Sequence, residues 1–168
     1  PNIYLLNGEF DDSEMNELYN HPKIKAMVSF TKGEGYGRPL LEFGLTGKPI
    51  IASGWSGHTD FLNTENSVLL AGTLENVHKS AANNWLIEEA KWFQVNPQNA
   101  ISSLKEVYKH YKKYLTRSRK QKQHVKDNFS WEKMRDLVNI KLNTQVPDFP
   151  NRVELKLPQL KLPKLNKV

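Results

Sequence analysis

Four short apolar runs, separated by stretches that carry helix signals, constrain the fold of this chain more than any other feature. The runs occupy residues 3–6, 26–30, 49–52 and 67–70. Continuous apolar runs of this length are typical of strands that are buried on both faces of a parallel sheet. Between them, Asp11 and Pro39 stand where helices are expected to begin. The pattern predicts an α/β fold, with a Rossmann-like parallel sheet flanked by helices.

The second half of the chain is richer in helix signals. Residues 90–95 fit either a strand or the end of a helix. Asn96 and Pro97 predict a helix that runs to about residue 114, and Ser130 predicts another that runs to about residue 142. Prolines then interrupt a segment rich in Lys and Leu, in which Leu-Lys-Leu-Pro occurs twice. We therefore predict a folded domain over residues 1–145 and an extended tail over residues 146–168.

Length and composition exclude several classes of protein. With 168 residues, the chain can hold one domain with a hydrophobic core but not two full α/β domains. No run of the sequence approaches the roughly 18 apolar residues of a membrane span. The absence of cysteine excludes disulfides, cysteine nucleophiles and thiolate metal sites. This composition fits a cytoplasmic protein, which is the location that we expect.

Positive charge is concentrated in the last third of the chain. Residues 101–168 hold seventeen Lys and Arg against six Asp and Glu, whereas residues 1–100 hold seven against twelve. Basic residues with interspersed Tyr and Trp would suit nucleic acid, and basic helices are also attracted to anionic membranes. Leu104, Tyr108 and Tyr111, however, recur at the spacing of a helix that packs on a sheet. We favour a solvated helical face, so we expect no nucleic-acid partner, and peripheral membrane contact stays an alternative.

Residues 32–42 carry the most informative motif. Lys-Gly-Glu-Gly-Tyr-Gly-Arg-Pro-Leu-Leu-Glu follows the second predicted strand, and ligands of parallel sheets bind at the carboxyl ends of strands. Glycines let the backbone approach a ligand, and the N–H groups of a first helical turn favour an anion such as a diphosphate. The two carboxylate oxygens of Glu42 suit the two hydroxyls of a ribose. On spacing alone, complementarity to the helix dipole explains Glu42 equally well.

Glu34 and Glu42 have seven residues between them, and the segment resembles the Glu-x7-Glu motif of retaining glycosyltransferase family 4. Further segments are similar to the family's pattern in the same order. They are Gly-Lys-Pro-Ile-Ile-Ala at 47–52, Trp-Ser-Gly-His-Thr-Asp-Phe-Leu at 55–62, Asn-Ser-Val-Leu-Leu at 66–70 and Phe-Ser-Trp at 129–131. The resemblance covers roughly residues 1–142.

The resemblance implies a role for each residue of the motif. Glu34 would be the catalytic carboxylate, in contact with the donor sugar near the reacting carbon. The backbone amides that would hold the sugar and the diphosphate belong to Gly35, Tyr36, Gly37 and Arg38. Glu42 would bind the ribose of the nucleotide. The implied reaction transfers a sugar from a nucleotide-diphosphate sugar with retention of configuration, and it needs no metal ion or other cofactor.

The chain departs from the family pattern in three places. Arg38 replaces a residue that is usually apolar, and it either adds a phosphate contact or projects to solvent. Phe43 replaces a small residue, which we interpret as a packing change. The family's domain also opens with a strand, a Gly-Arg turn and a Lys-containing segment that have no counterpart before Ile3.

The resemblance therefore implies the C-terminal half of a GT-B fold, truncated at its N-terminus. Its partners would be a nucleotide-sugar donor, an unknown acceptor and the missing N-terminal domain, and we expect the chain alone to be inactive. A sheet that lacks its first strands would expose an edge, which favours self-association. The alternative is a nucleotide- or phosphosugar-binding module without transfer activity, such as a regulatory domain or an epimerase-like fold.

Overall fold

The computed structural model describes residues 2–146, which form a mixed α/β structure. The strands are β1 (Met27–Ser29), β2 (Ile50–Ser53), β3 (Val68–Leu70), β4 (Gly72–Asn76) and β5 (Lys91–Val95). The helices are α1 (Asp12–Asn20), α2 (Arg38–Gly44), α3 (Pro97–Lys109), α4 (Tyr111–Asn128) and α5 (Trp131–Gln145). Two short 3-10 turns cover Gly57–Asp60 and Lys79–Ala81.

A parallel sheet of three strands forms the centre of the fold. The strand order is β1-β2-β3, and Ile51 of β2 is paired with Val28 on one side and Val68 on the other. All four residues of β2 are buried, which is why this segment is an unbroken apolar run. The prediction of a parallel sheet flanked by helices is confirmed to this extent.

The two faces of β2 lie in two different hydrophobic cores, because neighbouring residues of a strand point to opposite faces. Ile50 and Ala52 belong to the first core, which α2 covers with Leu40 and Phe43. Ile51 belongs to the second core, whose other members come from β3, β5 and α3. Helices therefore cover both faces of the sheet.

The predicted strand over residues 3–6 is wrong. Ile3, Tyr4 and Leu5 are 83–91% exposed and belong to no strand. A strand is held by hydrogen bonds to a neighbouring strand, and within residues 2–146 β1 pairs only with β2. Residues 3–6 leave the outer side of β1 unpaired. For the same reason β1 is an edge strand with Val28 half exposed, although we predicted a buried one.

The ambiguous segment before the helices contains an antiparallel pair of strands. β4 and β5 pair in register from Gly72 with Val95 to Asn76 with Lys91. Residues 90–95 thus contain a strand and not the end of a helix. Phe93 and Val95 of β5 are buried in the second core, so this pair adds to the packing on one face of the parallel sheet.

The helix predicted from residue 97 to about residue 114 is two helices. Asn96 caps α3 by accepting a hydrogen bond from the Asn99 N–H at 3.0 Å, as its side chain and the following proline suggest. His110 then leaves the helical region, with φ −114° and ψ 35°. The break lets the two helices take different partners: α3 packs against β3, and α4 packs against α2.

The chain divides into two packing units between Met134 and Arg135, within α5. α5 begins at Trp131, close to the predicted start, and it has no buried residue. Within residues 2–146, no helix is long and apolar enough to cross a membrane. The predicted tail over 146–168 lies outside the described residues except for Val146, so the predicted domain boundary at residue 145 stays a prediction.

Candidate functional site

Two loops meet at the carboxyl ends of β1 and β2, where the sequence predicts the ligand site. We call residues 31–37 the motif loop and residues 54–60 the second loop. The Glu34 N–H donates to the Ser56 Oγ at 2.9 Å, and the Ser56 Oγ donates to the Glu34 carbonyl at 2.6 Å. The Gly57 N–H donates to the same carbonyl at 3.1 Å. These three hydrogen bonds fix the motif loop against the second loop.

Glycine is required where the motif loop enters α2. Gly37 has φ 84°, in the left-handed region, and a Cβ built there would lie 2.9 Å from the Cβ of His58. Both the backbone conformation and the available space therefore exclude larger residues. The start of α2 is therefore packed directly against His58 of the second loop.

Ser56 holds this contact in a strained conformation. Its φ of 92° and ψ of −172° lie in a region that is essentially restricted to glycine. The two hydrogen bonds with Glu34 offset this strain.

Replacing Ser56 by alanine removes both hydrogen bonds and keeps the strain, so we expect the free energy of unfolding to fall by about 1–3 kcal/mol. Replacing it by glycine removes the same bonds but relieves strain of about 1–3 kcal/mol, against an entropy cost of about 0.5–1 kcal/mol. We therefore expect Ser56→Gly to be the more stable variant. Urea unfolding of the two variants and the unchanged chain measures the difference. If Ser56→Gly is no more stable than Ser56→Ala, the strain does not exist in solution.

The second loop contains a fully buried histidine. The Nε2 of His58 lies 2.6 Å from the Ser53 carbonyl, and its Nδ1 has no hydrogen-bond partner within residues 2–146. The ring is enclosed in the turn that follows β2 and is not open to solvent.

The motif loop offers a row of free hydrogen-bond donors. The backbone amides of four consecutive residues donate no hydrogen bond within residues 2–146; the residues are Gly35, Tyr36, Gly37 and Arg38. Backbone N–H groups in folded proteins are usually paired with protein groups or water. Four free amides in sequence, next to glycines that allow close approach, can bind an anionic or hydroxyl-rich ligand.

The two glutamates of the motif lie in different surroundings. Glu34 is half-buried in the motif loop, and its carboxylate has no partner within the described part of the chain. Glu42 lines a cavity of about 400 Å³ between α1 and α2. The cavity is lined by Asp12, Met15, Asn16, Tyr19, Asn20, Arg38, Pro39, Glu42, Leu45 and Thr46. Glu34 and residues 35–37 are not among them, so the structure does not bring the two glutamates into one cavity.

Arg38 contacts the carboxylate of Glu42. The Arg38 Nε lies 3.1 Å from the Glu42 Oε1, one helical turn away, and both side chains are largely accessible to water. An exposed ion pair of this kind contributes at most about 1 kcal/mol, so a ligand can displace it. The Arg38 side chain is therefore exposed and paired with Glu42 at the cavity.

Tyr19 completes the cavity wall opposite α2. Burial raises the pKa of Tyr19 above its ordinary value, the charge of Glu42 raises it further, and the charge of Arg38 partly opposes this. The hydroxyl therefore stays protonated at neutral pH and can donate a hydrogen bond to a ligand. Its ring packs edge-on against Phe43, with ring centroids 5.6 Å apart.

The contribution of α1 to this cavity was not predicted from the sequence. The Asp12, Asn16 and Asn20 side chains recur at four-residue spacing, which places them on one face of the helix. The polar face of α1 could therefore have been predicted from this spacing in the sequence alone. From the sequence we predicted only where α1 begins.

No group of three or more His, Asp or Glu side chains that could hold a metal ion occurs among residues 2–146. Comparison with protein-family models, with curated proteins and with solved structures found no match to this chain.

Proposed function

We propose that this chain is the donor-binding part of a retaining glycosyltransferase with a GT-B fold, and that it binds a nucleotide-diphosphate sugar. The observation that carries the proposal is the row of four free amides at residues 35–38. These amides lead directly into the helix that carries Glu42. The resemblance to glycosyltransferase family 4 assigns donor binding to the same four residues.

The proposed roles follow from the chemistry of each group. Free amides at residues 35–38 would donate hydrogen bonds to the negative oxygens of the diphosphate, and they would stabilise the charge that grows as the bond to the sugar breaks. In the overall transfer, the anomeric carbon exchanges its bond to the diphosphate for a bond to the acceptor oxygen. The acceptor's proton leaves with the diphosphate or with solvent. The unpaired carboxylate of Glu34 would stabilise the positive charge on the sugar.

Glu42 would bind the ribose in the cavity between α1 and α2. The cavity volume of about 400 Å³ lies in the range of small-molecule sites. The ribose hydroxyls would replace the Arg38 guanidinium as partners of the carboxylate, because that ion pair is weak and exposed. Arg38 would then be free to contact a phosphate.

The proposal predicts that the chain binds one of UDP, GDP and ADP in preference to the others, and that Glu42→Gln weakens this binding roughly ten- to hundredfold. A hydrogen bond to a charged group contributes about 1.5–3 kcal/mol, which sets this range. Two-dimensional NMR titration of the chain with each nucleotide measures the dissociation constant and identifies the residues that respond.

Glu17→Gln is the matched control, because Glu17 is an exposed carboxylate of α1 that does not line the cavity. It removes the same charge and should leave binding unchanged. Equal weakening by both variants, or responses that avoid residues 35–42, would contradict the proposed site. Binding without sugar transfer, when the acceptor domain is supplied, would favour the alternative of a binding module.

A further inference from the structure

A second concave site lies at the amino ends of the parallel strands, away from the motif loop. Lys25 stands two residues before β1 and Lys48 two residues before β2, so both lie at the amino ends of these strands. Together with Arg119 and Lys122 of α4, they line a cavity of about 380 Å³. The motif loop follows the carboxyl end of β1, so this cavity is separate from the proposed donor site.

The positive charges of this cavity are not neutralised by the protein. No carboxylate lines it, and none of its four cations forms an ion pair within residues 2–146. Burial lowers the pKa of Lys48 below its ordinary value, and the nearby charge of Lys25 lowers it further. Four like charges around one concavity cost free energy unless an anion is bound there.

The local backbone holds these cations in place. The Lys48 Nζ donates to the Tyr19 carbonyl at 2.6 Å and to the His21 carbonyl at 2.9 Å, so its position is fixed. Gly47 has φ 72°, and a Cβ there would lie 3.4 Å from the Cδ of Lys122. The alkyl stems of the α4 cations therefore pack on the turn before β2. Lys48 and the stems of Arg119 and Lys122 are therefore held in place beside this turn.

We propose that this basic cavity is a second binding site, and that its ligand is a phosphorylated anion. A phosphate group offers several acceptor oxygens to ammonium and guanidinium donors from different elements, and arginine can bind it with two parallel hydrogen bonds. The phosphate can belong to a soluble molecule or to a lipid headgroup. The proposal does not depend on the function proposed above.

The test compares two double variants of the full chain that remove the same charge from the same helix. Arg119→Gln with Lys122→Gln alters the cavity but keeps the side-chain atoms nearest Gly47. Lys112→Gln with Lys120→Gln removes two exposed cations of α4 that do not line it. Each is titrated by NMR with pyrophosphate at constant ionic strength, and each is sedimented with phosphatidylcholine vesicles that contain or lack phosphatidic acid. Circular dichroism and melting temperature establish that both variants are folded.

We expect pyrophosphate to shift the resonances of Gly47 and Lys48, and we expect the cavity variant to weaken this binding at least about tenfold while the control stays close to the unchanged chain. Shifts confined to residues 35–38 would report the donor site instead and would overturn the proposal. Vesicle binding that needs phosphatidic acid and is lost only in the cavity variant assigns the phosphate to a lipid; binding of pyrophosphate alone assigns it to a soluble ligand. Equal losses in both variants, or binding in neither assay, overturn the proposal.

Discussion

Alanine at position 57 is expected to lower the free energy of unfolding by about 3 kcal/mol or more, because the added methyl group has no space. Its Cβ would lie 2.0 Å from the carbonyl oxygen of Gly35 and 3.0 Å from that of Glu34. Both atoms are backbone, and the hydrogen bonds between Ser56 and Glu34 hold them in place. The clash can be relieved only by separating the motif loop from the second loop.

Gly35→Ala is the matched control for this substitution. No atom lies within 4 Å of a Cβ at Gly35, and its φ is not positive. We expect a change within about 0.5 kcal/mol, as for other surface substitutions. Urea unfolding followed by circular dichroism gives both values. If Gly57→Ala is as mild as Gly35→Ala, the two loops are not in contact in solution.

Truncation of Phe43 to alanine should cost about 3–5 kcal/mol, the usual range for a buried phenylalanine. Phe43 is only 1% exposed and packs with Leu40 and Ile50 in the first core. It is also one of the positions at which the chain departs from the pattern that it resembles, and its ring contacts that of Tyr19. Thermal and urea unfolding measure the loss of stability.

Leu45→Ala provides the comparison for Phe43→Ala. Leu45 follows the same helix but is 41% exposed. Its truncation should therefore cost no more than about 1 kcal/mol. Similar costs for the two substitutions would mean that α2 does not pack on the sheet as described.

The apolar runs at 26–30, 49–52 and 67–70 each contain strand residues, whereas the run at 3–6 does not. Residues 49–52 and 3–6 look alike in sequence, yet only the former pair with strands on both sides. Pairing depends on a partner elsewhere in the chain, which a local pattern does not contain. The start of α1 was predictable because the capping box of Asp11 and Glu14 is formed within four residues.

The position of the motif loop in the chain was predictable from the sequence, but its contacts with other segments were not. Glycines and the following proline identified the motif loop and the start of α2 from sequence alone. The hydrogen bonds between the Ser56 side chain and the Glu34 backbone join residues 22 positions apart, and no spacing rule predicts them. The pairing of Arg38 with Glu42 was predictable from their i, i+4 spacing, but we considered only a phosphate contact or projection to solvent.

The two walls of the Glu42 cavity, α1 and α2, differ in how many buried contacts hold them to the rest of the fold. α2 is anchored in the first core by Leu40 and Phe43, whereas α1 has no buried residue and is tied at its C-terminal end by Tyr19 and Lys48. Elements with few buried contacts open locally at low free energy. The cavity can therefore widen by a swing of α1 about that end while the sheet stays intact. A ligand that contacts both walls would restrict this motion of α1. The conformational entropy that α1 loses would make the observed affinity weaker than the contacts alone would give.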